Sequence, residues 1–285
     1  MAERDESLST LDEVATQIDL EGIKIVYVEG DTDQRFYTTW AIKRLNVTKT
    51  ELGRLNKILI QSVSDVDTTT LPDDDNLNSG SNRTKVIRLA KEAHSRNINI
   101  RCIADRDVGH DCETLNYPTL LWTDYPALES YAITPQILDS LNSLHLNNSL
   151  PESEELIPQL SFALRELFAV RQANKHLPQP KYKKGLEKNS TLDTFDVSKT
   201  VLHETICSIP ANRRPSKSDD PRTYSYGHDI AELLMAAYPG KIKNRKNGAI
   251  KDVAGLENAM RNCILMYCDN EGLFVSLHAW FTDPN

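Results

Sequence analysis

KIVYVEGDTDQRFY, residues 24–37, passes from a run of apolar and β-branched residues into three acidic residues and then into helix-like spacing. IKIVYV (23–28) is apolar at nearly every position, which predicts a strand covered on both faces, as in a parallel sheet. Glu29 follows this strand directly. A helix is expected next, capped by Asp31 or Asp33 and continuing to about residue 45.

The same alternation of elements continues along the chain. We predict strands at KILIQS (57–62), NINIRCIAD (97–105) and PTLLWT (118–123), with a helix over 83–97 and a long acidic loop at 63–82. Strands alternating with helices are typical of a doubly wound parallel sheet. The sequence therefore predicts an α/β core over roughly residues 20–135.

The second half of the chain has a different pattern. Helices are predicted at ITPQILDSL (133–141), at 154–177 and at HDIAELLMAAY (228–238), with strand character only around LFVSL (273–277). We expect two domains: an α/β domain over 1–135 and a mainly helical, basic C-terminal region over 136–285.

Charge is distributed unevenly between these parts. Residues 1–160 hold 15 Lys and Arg against 27 Asp and Glu, and residues 161–285 hold 18 against 14. The basic residues of the second part form clusters at 181–188, 212–217 and 241–251. A phosphate-rich ligand is expected there, although solvated loops and helix faces would explain the same clusters.

Acidic residues follow several of the predicted strands. Glu29 follows the first, Asp105 and Asp107 stand at the end of the third, and Asp124 and Glu129 follow the fourth. The spacing of two residues would let Asp105 and Asp107 point the same way from extended backbone. The carboxyl ends of parallel strands share one edge of a sheet, where these charges would repel one another without a cation. Hard oxygen ligands suit Mg²⁺ or Mn²⁺.

Two other interpretations of these acids stay open. Each can be a turn former or a helix cap. A calcium-loop interpretation of DRDVGHDCE (105–113) fits poorly, because His110 and Asn116 stand where an EF-hand has glycine and glutamate.

Compartment and redox state follow from composition. The chain has no apolar run near the length of a membrane span, and its start, MAERDESLST, is unlike a signal peptide, so a cytoplasmic protein is expected. Its five cysteines form no CxxC pair, which favours reduced thiols. Cys263 and Cys268 with His278 have poor spacing for a metal site.

The segments VEGDTDQRFY (28–37), IADRDVG (103–109), TDYPALESY (123–131) and YSYGHDIAELL (224–234) carry a resemblance to a known family. The chain resembles the TOPRIM-like nucleases of bacterial anti-phage systems, which are related to OLD-family proteins and include the effectors of PARIS systems. The motifs cover a little under half of the chain. The resemblance implies a TOPRIM-like Rossmannoid sheet.

The resemblance also implies functional residues. Glu29, Asp105 and Asp107 would hold Mg²⁺ (or Mn²⁺) for breaking phosphodiester bonds, with Glu129 as a fourth catalytic acid. His228 and Asp229 match a GHD motif, for which we expect support of the fold, with Asp229 as a helix cap. The basic residues expected to hold the nucleic-acid backbone are Lys181, Lys183, Lys184, Arg213 and Arg214.

Partners follow from the same resemblance. An ABC-type ATPase would hold the nuclease inactive and release it when a phage trigger protein is sensed, and RNA such as tRNA, or DNA, would be cut. No membrane partner is expected, and a homodimer through the helical part would be common. Two alternatives are a catalytically silent interaction subunit of the ATPase complex and a small-molecule nucleotide enzyme, the latter disfavoured by the absence of a G-x-G-x-x-G or P-loop motif.

Overall fold

The computed structural model describes residues 8–72, 80–107, 114–173, 179–186, 191–200, 214–243 and 250–284. The chain divides into two compact units. The first comprises the described residues of 1–105, 111–123 and 269–285, and the second comprises those of 106–110 and 124–268. The units differ from the predicted domains because the C-terminal segment belongs to the first unit and residues 124–135 belong to the second.

A four-stranded parallel sheet forms the centre of the first unit, as predicted for an α/β fold. Its strands are β1 (Lys24–Val28), β2 (Ile58–Ser62), β3 (Ile100–Ala104) and β4 (Leu120–Trp122). Their order is β2-β1-β3-β4, with Val26 of β1 opposite Ile60 on one side and Arg101 on the other. The chain thus extends the sheet in one direction from β1 and then in the other, which makes the boundary between β1 and β3 a topological switch point.

Within the described residues, five helices belong to the first unit. They are α1 (Leu11–Glu21), α2 (Asp31–Leu45), α3 (Lys49–Arg54), α4 (Asn82–Ser95) and α10 (Gly272–Thr282). Capping boxes start α1 at Thr10 with Glu13 and α3 at Thr48 with Glu51. The α4 residues Val86, Leu89 and Ala93 are buried against the sheet because they share one helical face.

The second unit is helical within its described residues. Its helices are α5 (Pro135–His145), α6 (Ser153–Ala173), α7 (Gly227–Ala237), α8 (Pro239–Ile242) and α9 (Val253–Tyr267). α5 packs against α9, and α7 packs against both α6 and α9. Leu141, Leu164, Leu234 and Met260 are fully or almost fully buried.

Two predictions about the helices of the first unit were wrong. The segment LFVSL (273–277) is helical, since Phe274, Leu277 and Phe281 repeat at helical spacing and are buried. Phe274 packs against Phe36 and Trp40 of α2. The N-cap of α2 is Gly30, so Asp31 and Asp33 lie in the first turn without serving as the cap.

Among the described residues, no helix is both long enough and apolar enough to cross a membrane. Cys102, Cys263 and Cys268 are buried, and none of the three forms a disulfide within the part of the chain that the structure describes. Cys112 and Cys207 lie outside the described residues.

Candidate active site at the carboxyl edge of the sheet

Glu29 and Asp105 meet at the switch point of the sheet. Glu29 follows β1 and Asp105 follows β3, and these strands are neighbours. The backbone N–H of Asp105 donates a hydrogen bond of 2.9 Å to Oε1 of Glu29. The structure therefore brings together two of the predicted acids that are 76 positions apart in the chain.

Arg83 supports the end of β3 from the first turn of α4. Its Nε donates to the carbonyl oxygen of Asp105 at 2.8 Å, and its guanidinium lies 5.2 Å from the ring centroid of Trp122. Asp105 is thus held at both its N–H and its C=O. Arg83 was not among the predicted site residues, because nothing in the neighbouring sequence distinguishes an arginine whose partner is 22 residues away.

Asp107 belongs to the second unit. Its backbone N–H donates to the carbonyl of Pro126 at 2.8 Å, and its φ of 57° lies in the left-handed region. The backbone is therefore not extended through residue 107, and the prediction that Asp105 and Asp107 alternate as in a strand was wrong. The residues 108–113 of the calcium-loop interpretation lie outside the described residues.

Glu129 is buried in the second unit. Its Oε1 forms an ion pair with Nη2 of Arg261. The geometry of this ion pair is not that of a hydrogen bond, and among the described residues Oε1 accepts no hydrogen bond. Gly227 lies so close that a Cβ there would collide with Oε2 of Glu129 and come within 3.1 Å of Ala127. The Glu129 carboxylate therefore leaves no room for a side chain at residue 227. The role of Glu129 as a fourth catalytic acid stays a prediction.

Asp124 also has a defined partner in this unit. The Tyr131 hydroxyl donates to Oδ2 of Asp124 at 2.8 Å and accepts from the Asp124 backbone N–H at 2.8 Å.

The GHD motif supports the fold of the second unit. Asp229 lies in the first turn of α7, but it is buried and does not cap the helix. Its carboxylate instead accepts two hydrogen bonds from Arg171, at 3.0 and 2.6 Å, and one from the Tyr182 hydroxyl. Burial would by itself lower the pKa of Arg171, but the hydrogen bond and charge of Asp229 outweigh it and raise that pKa. The pKa of Tyr182 is raised, first by burial and then by Asp229.

His228 faces a second carboxylate of this unit. Its Nδ1 lies 2.8 Å from Oε1 of Glu257, and this hydrogen bond raises the pKa of His228. Glu257 is almost completely buried, whereas His228 is largely exposed.

The predicted nucleic-acid contacts divide into two groups. Lys181, Lys183 and Lys184 are exposed at a 3₁₀ turn, Tyr182–Gly185. Arg214 forms an ion pair with Glu166, with Nη2 and Oε2 3.1 Å apart, so its charge is partly neutralised. Arg213 lies outside the described residues.

The donor types at the sheet edge fit a hard divalent cation. Glu29 and Asp105 supply carboxylates at the switch point, where ligands of parallel sheets bind, and oxygen ligands suit Mg²⁺ or Mn²⁺. Within the described residues, no three His, Cys, Asp or Glu side chains are grouped closely enough to hold a metal ion. Glu29 and Asp105 are the two predicted ligands that the described residues bring together, and they would hold such an ion. Asp107 stays a prediction as a further ligand.

Comparison with known proteins gives no family assignment: no protein-family model matches the chain, and no curated protein shows significant similarity to it.

Proposed function

We propose that this chain is a TOPRIM-like, metal-dependent nuclease that hydrolyses phosphodiester bonds. The observation that carries the proposal is the contact between Glu29 and Asp105 at the switch point of a parallel sheet. Both residues stand in the motifs, VEGDTD and IADRD, that resemble those of TOPRIM nucleases.

In this proposal Glu29 and Asp105 hold Mg²⁺ or Mn²⁺, and Asp107 and Glu129 are the further acids that the resemblance implies. When held by these residues, such an ion would supply activation of a water molecule and stabilisation of the charge that develops on the leaving oxygen. Arg83 is a positioning residue, because its hydrogen bond to the Asp105 carbonyl fixes the backbone that carries the Asp105 carboxylate. The Asp105 N–H orients the Glu29 carboxylate in turn.

The substrate proposed is nucleic acid, either RNA such as tRNA or DNA. The exposed lysines of the Tyr182–Gly185 turn and its flank supply positive charge for the phosphate backbone, so binding is expected to weaken steeply with salt. Arg214 is expected to contribute less, since Glu166 already pairs with it.

The biological role proposed is that of a toxic effector in anti-phage defence, similar to AriB of PARIS systems. An ABC-type ATPase would keep the nuclease inactive until a phage protein is sensed. This role rests on the motif resemblance alone.

The test is sequencing of cellular RNA and DNA ends after induction of the wild type, Asp105→Asn and Asp31→Asn. Asp105→Asn keeps the backbone N–H that contacts Glu29, so it removes a charge without removing that hydrogen bond. Asp31 is an exposed acid in the same motif and serves as the matched control.

New ends are expected with the wild type and Asp31→Asn but not with Asp105→Asn, and their identity would name the substrate. Equal patterns from the wild type and Asp105→Asn would refute the proposed chemistry. If the wild type yields no new ends even in cells that lack the ATPase, the result favours the alternative of a silent interaction subunit.

A further inference from the structure

A lysine-lined cavity of about 390 Å³ lies in the second unit. Lys181, Lys183 and Lys184 line it from one side, and Lys243, just after α8, lines it from another. All four side chains belong to exposed residues, and none of the four lysines has an ion-pair partner among the residues that the structure describes. The cavity therefore combines a recess with cations that are available to a ligand.

The Tyr182–Gly185 turn, which carries Lys183 and Lys184 and directly follows Lys181, is anchored. Tyr182, within the turn, is buried, and its hydroxyl donates a hydrogen bond to the Asp229 carboxylate. Arg171 forms an ion pair with the same carboxylate. A Cβ at Gly185 would come within 2.6 Å of Thr200 and 2.5 Å of Phe195, so the end of the turn is packed tightly. This anchoring limits the conformational entropy that ligand binding would cost.

Apolar side chains form another part of the lining. They are Pro180, Met235, Ala236 and Val253. A site for inorganic phosphate alone needs no such surface, whereas a nucleotide presents a base and a sugar beside its phosphate. The volume lies within the usual range for small-molecule sites, about 300 to 1,000 Å³.

Two acids complete the lining and do not reverse its charge. Asp252 caps α9 by accepting a hydrogen bond from Gly255 N at 2.8 Å, so its carboxylate is already engaged. The pKa of Glu232 is raised, first by burial and then by the charge of Glu257, which disfavours its anionic form. The four lysines therefore dominate the electrostatics of the cavity.

We propose that this cavity binds a phosphorylated nucleoside, with its phosphate at the four lysines and its base against Met235 and Val253. The ligand is either a free nucleotide or the phosphorylated end of a nucleic-acid strand, because both present the same chemistry. This proposal rests on the nucleic-acid binding proposed above for Lys181, Lys183 and Lys184 and makes it more specific, but it does not depend on the cleavage chemistry proposed for Glu29 and Asp105.

The test is calorimetric titration of the full chain, in chelator and without divalent cations. The probes are AMP, a 5′-phosphorylated RNA tetranucleotide, and adenosine as the phosphate-free control. The variants are Lys183→Ala and Lys243→Ala, with Lys241→Ala as the matched control. Lys241 lies two residues before Lys243 in the chain but does not line the cavity. Its ammonium group lies 5.3 Å from the ring centroid of Tyr238.

AMP or the tetranucleotide, or both, should bind the wild type, and the stronger binder identifies the source of the ligand. Lys183→Ala and Lys243→Ala should each weaken binding by about tenfold, as expected for losing a charge-assisted contact. Lys241→Ala and Glu29→Gln should bind like the wild type, and adenosine should not bind. Glu29→Gln separates this proposal from the cleavage proposal, since it would abolish only the latter.

The proposal would be overturned if neither phosphorylated probe saturates the wild type at millimolar concentration. It would also be overturned if adenosine binds as tightly as AMP, or if the two cavity variants bind no more weakly than Lys241→Ala. Equal weakening by Glu29→Gln and Lys183→Ala would place the bound nucleotide elsewhere and would likewise refute it.

Discussion

The Glu29 carboxylate accepts a hydrogen bond from the backbone N–H of Asp105, with Oε1 and N 2.9 Å apart. This contact joins the carboxyl ends of β1 and β3 at the topological switch point of the sheet. Glu29 thereby contributes a hydrogen-bond acceptor to the fold, which is separable from the charge that we propose it offers to a cation.

Substitution of Glu29 should separate these contributions. Glu29→Gln retains a side-chain oxygen that can accept the Asp105 N–H, so its free energy of unfolding should stay near that of the wild type. Glu29→Ala removes the acceptor and should lower that free energy by about 1 kcal/mol, because Glu29 is only half-buried and water can replace part of the interaction. Urea denaturation measures the difference, and equal stability of the two variants would mean that the hydrogen bond contributes little.

Asp229→Asn should be strongly destabilising. Asp229 is buried, and its removal as an anion leaves the Arg171 guanidinium without its counter-charge. The expected loss is about 3 kcal/mol, as for other buried pairs that lose one partner. Asp220→Asn is the control, because Asp220 pairs with Arg222 in a more exposed setting and should cost less than about 1 kcal/mol. Thermal denaturation of both variants measures their loss of stability. Similar losses of stability for Asp229→Asn and Asp220→Asn would contradict the structural role assigned to Asp229.

Gly227→Ala should destabilise the second unit by about 1 to 3 kcal/mol through overpacking. The added methyl group would collide with the Glu129 carboxylate, which Arg261 holds in an ion pair. At Gly240 a Cβ meets nothing within 4 Å, so Gly240→Ala is the matched control. Near-identical melting temperatures for the two variants would show that the surroundings of residue 227 relax easily.

His228 should make stability depend on pH. Its hydrogen bond to Glu257 raises its pKa in the folded state, so protonated His228 stabilises the fold. That contribution is complete below the unfolded value of about 6.5 and is lost as the pH rises through the folded-state pKa. The stability difference between the wild type and His228→Gln should therefore be largest below pH ~6.5 and shrink above it.

The same series in a Glu257→Gln background is the control for this prediction. There the pH dependence of the His228 contribution should largely disappear, because the principal cause of the raised pKa is gone. If Glu257→Gln leaves the pH dependence of stability unchanged, that pH dependence arises from a group other than the His228–Glu257 pair.

Local sequence patterns were sufficient for the sheet and for the first pair of acids. Apolar β-branched runs identified β1 to β3, and the position of Glu29 and Asp105 directly after their strands predicted a shared edge. The capping boxes beginning at Thr10 and Thr48 were also present in the sequence and would have revealed α1 and α3.

Long-range pairing was not predictable in this way. Arg171 and Asp229 are 58 residues apart, and nothing near Asp229 distinguishes a helix cap from a buried ion pair. The four apolar residues within LFVSL match a strand as well as a helix over so short a length, and only the longer spacing to Phe281 favours the helix. Arg261 lies far along the chain from Glu129, so its pairing also depends on the tertiary fold.

The most direct test of the proposed nuclease centre is Mn²⁺ binding measured by electron paramagnetic resonance, with the wild type, Glu29→Gln and Asp31→Asn compared at equal concentration. Glu29→Gln is expected to keep its fold and lose the bound Mn²⁺ signal, while the wild type and Asp31→Asn retain it, because a neutral amide is a poor substitute for a carboxylate ligand. Equal Mn²⁺ binding by Glu29→Gln and the wild type would contradict the assignment of Glu29 as a metal ligand.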